Sequence, residues 1–156
     1  MANYNSNITS TNISAKSGGS IPRVISDVVD FSSTTNAAGD TFDVLPVPAN
    51  CLVVSAGYDV LTADSAGNSG TIAIGDSADG DYYGLAATCA AAGQNTRNFD
   101  TTAGLGTVKS YSAADAIRLT IGTGAINAKV RVWACVMSLD AGGTLTDSDS
   151  QTSTFA

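Results

Sequence analysis

Short apolar runs in which every second residue is hydrophobic recur along the chain, and glycine, proline, asparagine, aspartate and serine separate them. Alternation with a period of two is typical of a β-strand that buries one face. The clearest run covers residues 52–61, and we predict a half-buried strand there. One face of this strand should carry Leu52, Val54, Ala56, Tyr58 and Val60, and the other Val53, Ser55, Gly57 and Asp59.

Seven further segments have the pattern of strands, and most of them are rich in β-branched or aromatic residues and bounded by turn-forming residues. They are 23–31, 41–47, 71–75, 82–88, 107–111, 116–121 and 129–139. In the last segment Val130, Val132, Ala134 and Val136 line one face, while the other changes from Lys129 and Arg131 to Trp133, Cys135, Met137 and Leu139. This strand is therefore expected to begin with one face towards solvent and to end covered on both faces. Residues 85–92 are rich in alanine, which favours a short helix, but the flanking Gly and Thr leave this assignment open.

About eight strands with short connections and no helical crossovers predict an all-β fold, an antiparallel sandwich of two sheets. Jelly-roll and immunoglobulin-like topologies both fit, and we favour the jelly roll. Residues 1–20 and 142–156 are rich in Asn, Ser, Thr and Gly, a composition that buries too little apolar surface to offset the loss of chain entropy. We expect a flexible N-terminal arm at 1–20, a β-sandwich domain at 21–141 and a polar tail at 142–156.

Charged residues make up only 13% of the 156-residue chain, about half the usual share, and this favours a subunit whose faces are covered by neighbours. The net charge of −7 argues against binding to nucleic acid, because phosphate contacts need clustered Lys and Arg. No apolar run approaches the roughly 20 residues of a membrane-spanning helix. The first twenty residues lack the pattern of a secretory signal peptide, so we expect synthesis in the cytoplasm.

The chain has no histidine, and its 14 acidic residues are all aspartate. Histidine and glutamate are the usual proton-transfer groups of hydrolases and transferases, so the composition argues against an enzyme. We predict no catalytic residues and no cofactor. Three cysteines, Cys51, Cys89 and Cys135, match no metal or redox spacing and are interpreted as structural.

The densest cluster of candidate ligands is Asp76, Asp79 and Asp81 in the segment GDSADGDYYG. Carboxylate oxygens at this spacing are a weak candidate for a Ca²⁺ site, although the strict alternation and final Glu of an EF-hand loop are missing. Aspartate also stabilises exposed hairpin turns through bonds to its own backbone, and we favour that interpretation. The aromatic residues Tyr58, Tyr82, Tyr83, Tyr111 and Trp133 could form a sugar-binding platform, but aromatic residues in strands more often belong to a core or an interface.

The order of segments resembles that of virion proteins of tailed bacteriophages, the capsid decoration or cement proteins and related head-fibre proteins. The features that carry the resemblance are the strand VISDVVDF, the segment DVLPVPA at 43–49, the stretch TIAIGDSADGDYYG and the closing strand KVRVW at 129–133. They span about residues 23–140.

This resemblance implies a jelly-roll or related β-fold, often in a trimer, that bridges major capsid proteins on the outer surface of a virion. It also implies synthesis in a reducing bacterial cytoplasm, in agreement with unpaired cysteines. The expected partners are the major capsid protein and further copies of this chain, with no nucleic acid or membrane. Two alternatives are a receptor- or glycan-binding module that uses the loops 76–83 or 93–106, and a pilus or surface-layer subunit, which the absent signal peptide disfavours.

Overall fold

The computed structural model describes residues 21–65, 70–93 and 108–139 in full, and the backbone course of residues 3–5 and 95–97. Regular structure in these ranges is β-strand, apart from one turn of 3-10 helix at Phe31–Ser33. The ten strands are β1 (Asn3–Asn5), β2 (Arg23–Asp30), β3 (Thr41–Val47), β4 (Cys51–Thr62), β5 (Thr71–Gly75), β6 (Gly84–Thr88), β7 (Asn95–Arg97), β8 (Lys109–Tyr111), β9 (Asp115–Ile121) and β10 (Lys129–Ser138).

The strands form two sheets that pack face to face. The first sheet has the order β1-β3-β9-β5-β6, and the second has the order β2-β10-β4, with β7 and β8 both paired to β4. Apart from the parallel pair β1 and β3, all neighbours are antiparallel. From β2 onward, the first strand lies beside the last and the second beside the next to last, which is the strand order of a jelly roll. The predicted all-β sandwich with jelly-roll topology is confirmed.

Alternate residues of both sheets meet between them and form the core. Phe31 and Phe42 pack edge to face at one end, with ring centroids 5.1 Å apart. Tyr83 and Tyr111 close another part of the core with their hydroxyl oxygens 2.8 Å apart. The largest side chains of the core that are almost fully buried are Phe31, Tyr58, Ile72, Ile74, Tyr83, Ile117, Leu119 and Ile121.

Strand β4 departs from simple alternation. Its register against β10 skips one residue between Val53 and Ser55, which defines a β-bulge at Val54. An extra residue in a strand reverses the face to which each preceding side chain points. Val53 therefore points into the core together with Ala56 and Tyr58. The prediction that Leu52 and Val54 share a face with Ala56, Tyr58 and Val60 is therefore wrong, because alternation was extrapolated through the bulge.

The strand position next to β4 is occupied by two separate segments. β7 pairs with residues 57–59 of β4, and β8 pairs with residues 51–53 in the same direction. Residues 98–108 lie between the two segments in sequence, and the bulge in β4 lies between the two pairings. The two segments together fill the place of one jelly-roll strand.

All eight predicted strands are present, with ends shifted by a few residues. The region 85–92 is settled as β6 followed by bends and turns, so the helical alternative is wrong. Pairing of Asn3–Asn5 with Thr41–Asp43 was not predicted. Apart from these three residues, the predicted arm and the predicted tail lie outside the described residues, and the division into arm, domain and tail stays a prediction.

Candidate interaction surface

The outward face of the second sheet is largely apolar. We call it the outer apolar face and define it by Val24 and Val28 of β2, Leu52 of β4, and Trp133 and Met137 of β10. Val24 is 71% exposed and Val28 is 45% exposed. Leu52, Trp133 and Met137 are half-buried. Large apolar side chains grouped on one face in this way are typical of an interaction surface.

Strand register explains how these residues come together. Trp133 lies between Ser26 of β2 and Gly57 of β4, so its indole has small neighbours on both sides. One row away, Cys135 lies between Val24 and Ser55. Tryptophan in such a position is a common anchor of protein interfaces.

The charged residues of this face whose side chains the structure describes lie at one end. Arg131 lies opposite Asp59 on β4 and Val28 on β2, so the charges of this row are of opposite sign. Ile21, 61% exposed, and Leu139, 46% exposed, flank the other end. The prediction that β10 ends covered on both faces is only partly met in the single chain, because Trp133, Cys135 and Met137 remain half-buried.

The outward face of the first sheet is different, because small and polar residues dominate it. Asp43 of β3 accepts a hydrogen bond from Nε of Arg118 on β9 at 2.6 Å. In the next row, Thr120 lies between Thr41 and Ala73. The sandwich therefore has one polar and one apolar outer surface, and the apolar one is suited to a partner.

A buried aspartate joins the two sheets at one end. The turn after β5 begins at Gly75, where an added Cβ would lie 2.0 Å from the carbonyl oxygen of Asp79, so the tight turn requires glycine.

Asp76 follows, with its side chain fully buried. Its Oδ1 accepts hydrogen bonds from the amides of Ala78 at 2.9 Å and Asp79 at 3.1 Å. Its Oδ2 accepts from Nζ of Lys109 and, at 2.6 Å, from the hydroxyl of Tyr111, both on β8.

Burial alone would raise the pKa of Asp76, but the hydrogen bonds from Lys109, Tyr111 and the two amides outweigh it and hold that pKa below its ordinary value. Burial raises the pKa of the Tyr111 hydroxyl, and donation to Asp76 raises it further. The Nζ of Lys109 lies 4.6 Å from the ring centroid of Tyr82 and 5.5 Å from that of Tyr111. The cation thus lies against two aromatic rings as well as a carboxylate.

The three candidate calcium ligands have different surroundings. Both oxygens of Asp76 are engaged as described above, whereas Asp79 is half-buried and its Oδ1 accepts from the amide of Asp81 at 3.4 Å. The neighbouring Asp79 carboxyl raises the pKa of Asp81. Among the described residues, no three His, Cys, Asp or Glu side chains are grouped as metal ligands. Calcium binding by this turn remains an untested prediction.

Aromatic and cysteine side chains are mostly internal. Tyr58, Tyr83 and Tyr111 are buried, so these three belong to the core, not to an exposed sugar platform. Cys51 and Cys89 are buried, and burial raises the pKa of the Cys89 thiol to about 11, with the charge of Asp64 adding to the effect. Cys135 is half-buried beside Val24 on the outer apolar face. The loop 93–106 proposed for ligand binding falls largely outside the described residues.

Sequence reasoning did not single out Val24, Val28 or Leu52 as surface residues. For β2 the sequence carries a usable pattern, since RVISDVVD has apolar residues on both faces. A strand at the edge of a sandwich buries one face, so the apolar residues of the other face lie at the surface. For Leu52 the bulge removed any such pattern. In the described part of the chain, no helix has the length and apolar character needed to cross a bilayer.

Strand order and surface together define a jelly-roll domain with one apolar outer sheet. Solved structures with this fold include chains from the capsid of Ralstonia phage GP4, with a TM-score of 0.62 and 17% identity over 88% of this chain and 98% of that chain. A chain from the acid-stable capsid of Helicobacter pylori bacteriophage KHP30 has a TM-score of 0.58 and 12% identity over 78% and 90%. A chain from the capsid of cyanophage Pam1 has a TM-score of 0.56 and 19% identity over 85% and 97%.

The resemblance to bacteriophage virion proteins is therefore confirmed at the level of the fold. No protein-family model matches the sequence, and a search of curated proteins finds no match. Each similar chain is covered over at least 90% of its length, so these are whole chains of about the size of this one.

Proposed function

We propose that this protein is a structural component of a bacteriophage virion, which binds the outside of the capsid and stabilises or decorates it as a cement protein. The observation that carries the proposal is the whole-chain match to small chains from three phage capsids.

The partners in this proposal are the major capsid protein and two further copies of the chain. The outer apolar face supports association between copies, because docking there would remove the exposed Val24 and the half-buried Trp133 from water. Arg131 and Asp59 on that face are of opposite sign and lie at one end of it. Residues 1–20 would contact the shell or an adjoining copy, gaining affinity from many simultaneous sites on the lattice.

No catalytic step and no bound nucleic acid are part of this function. The composition without histidine or glutamate and the low pKa of Asp76, which keeps that buried carboxylate ionised and occupied by Lys109, support a role in binding alone.

Purified protein added to shells of its own phage that lack it would test the proposal. We expect saturable co-sedimentation, an added density on the outer surface in cryo-electron microscopy, and shells that resist a higher temperature. Folded protein that fails to bind such shells, or density confined to the interior, would contradict the proposal. Binding to a glycan array without binding to shells would instead select the receptor-binding alternative.

A further inference from the structure

The edge of β3 that faces away from β9 pairs with one short strand. Its first three residues, Thr41–Asp43, pair in parallel with Asn3–Asn5. Beyond them the register of β3 shifts at Val44, and Pro46 has no amide hydrogen to donate. A bulge and a proline end the pairing surface, so the edge offers three residues and no more. Such limits prevent open-ended strand addition.

β1 is held to the domain by this pairing and by a long tether. Residues 6–22 separate it from β2, and seventeen residues can span roughly 55 Å when extended. A folded chain of this length has a radius of gyration of about 15 Å and is therefore roughly 40 Å across. The tether is long enough to place β1 on a neighbouring molecule.

The pairing contacts are the same whether β1 comes from the same chain or from another copy, because they are backbone bonds in one register. Exchange of an identical element between copies therefore costs little once the copies are adjacent. Within one chain a three-residue strand adds little to a fold that already has two complete sheets. Between copies, the same three residues add backbone hydrogen bonds, which are directional, to an association made through the outer apolar face.

The location of β3 supports exchange. β3 contacts both β2 and β10 across the sandwich, and β2 is the edge strand of its sheet, so the edge of β3 that pairs with β1 lies on the same side of the molecule as β2. Val24 and Val28, the most exposed residues of the outer apolar face, are on β2. A second copy that docks on the β2 side of the second sheet therefore comes close to the β3 edge of the first sheet.

We propose that β1 of one copy pairs with the β3 edge of a second copy, so that the N-terminal strands link neighbouring subunits. This inference rests on the self-association in the proposed function, and it names the segment and the edge that make the link.

Disulfide trapping of Asn3 against its register partner Thr41 distinguishes exchange from pairing within one chain. Asn3→Cys is placed in a chain with a long tag, Thr41→Cys is placed in an untagged chain, and both carry Cys135→Ser to remove the half-buried thiol. After co-expression and mild oxidation, we expect a covalent pair of one tagged and one untagged chain on a non-reducing gel. Asn3→Cys with Pro46→Cys, which lies on the same strand beyond the bulge, serves as the control for random collision and should give little of that species.

A chain that carries both Asn3→Cys and Thr41→Cys completes the test, in solution and on capsids. Exclusive formation of an internal disulfide, with no mixed pair, would overturn the proposal, and so would the absence of any disulfide. Sedimentation of the protein without the introduced cysteines measures self-association and capsid binding, so it tests the proposed function separately from strand exchange. Trimers or capsid-bound protein with only internal disulfides would refute strand exchange and leave the proposed function intact, whereas a failure to assemble or bind would refute the proposed function itself.

Discussion

Asp76 joins a turn of the first sheet to β8 of the second, because it accepts two hydrogen bonds from amides of its own turn and two from side chains of β8. A buried carboxylate with this many donors stabilises a fold mainly because its removal leaves several donors without partners. The neighbouring Asp79 belongs to the same turn but is only half-buried. These two residues show that equal side chains a few positions apart have unequal roles.

Replacement of Asp76 by Ala should lower the free energy of unfolding by about 3 kcal/mol, because Lys109, Tyr111 and two amides lose their acceptor. Lys109→Met should cost less, since Asp76 keeps its other donors. Urea denaturation followed by circular dichroism measures both changes. Asp79→Asn is the matched control, with an expected loss of less than about 0.5 kcal/mol. Equal effects of Asp76→Ala and Asp79→Asn would show that the buried network is not formed.

Stability should also depend on pH through Asp76. Its pKa is lowered from 3.8 in the fold, so its contribution is fully present above pH 3.8 and is lost as the pH falls through the lower folded value. Asp30, whose pKa falls to about 2 beside Lys129 and Ser32, acts in the same direction from an exposed site. Through these two groups the urea midpoint should change little between pH 7 and pH 4 and fall between pH 4 and pH 2.5, and Asp76→Asn and Asp30→Asn should each flatten that fall. A midpoint unchanged down to pH 2.5 would contradict this.

At the scale of elements, the strands were predictable because alternation is a local property of the sequence. The bulges were not, since an inserted residue such as Val54 is apolar like its neighbours and leaves no trace in the hydropathy pattern. β7 was missed because three residues are too short to show a period. The partners of Asp76 were also beyond local reasoning, as Lys109 lies 33 positions away and meets it only through the topology.

Because of the bulge in β4, the residues at the start of this strand that should tolerate a charge are the opposite of those that uninterrupted alternation predicts. Val53, which is fully buried, should not tolerate aspartate, and Val53→Asp should cost about 4 kcal/mol or more because it buries a charge without a partner. Leu52→Asp should cost no more than about 1 kcal/mol, since Leu52 points outward. Thermal melts of the two variants at one concentration provide the comparison. A more damaging Leu52→Asp would show that the bulge is misplaced.

The whole molecule combines a polar outer sheet with an apolar one, and its charge is sparse. An isolated subunit of this kind keeps Val24 and Trp133 in contact with water, which favours association through that side. Since the chain has one tryptophan, its fluorescence reports on the contact directly.

Val24→Asp should convert an assembled species to monomers without loss of folding, because Val24 is 71% exposed in the single chain. Analytical ultracentrifugation should show the smaller species, and Trp133 emission should shift to longer wavelength as the indole becomes hydrated. Thiol labelling should speed up at Cys135 in the same variant and stay slow at Cys89. Leu85→Asp, at a residue 51% exposed on β6 of the other sheet, is the control and should leave the mass unchanged. Equal dissociation by both variants would mean that the contact is elsewhere.

The divided strand beside β4 bears on how this scaffold could be put to use. β7 and β8 fix the chain at two points on one edge. An epitope or an affinity peptide grafted between Arg97 and Lys109 would be anchored at both ends by backbone pairing. On a particle coated with such subunits, the graft would be presented in a dense, regularly spaced array.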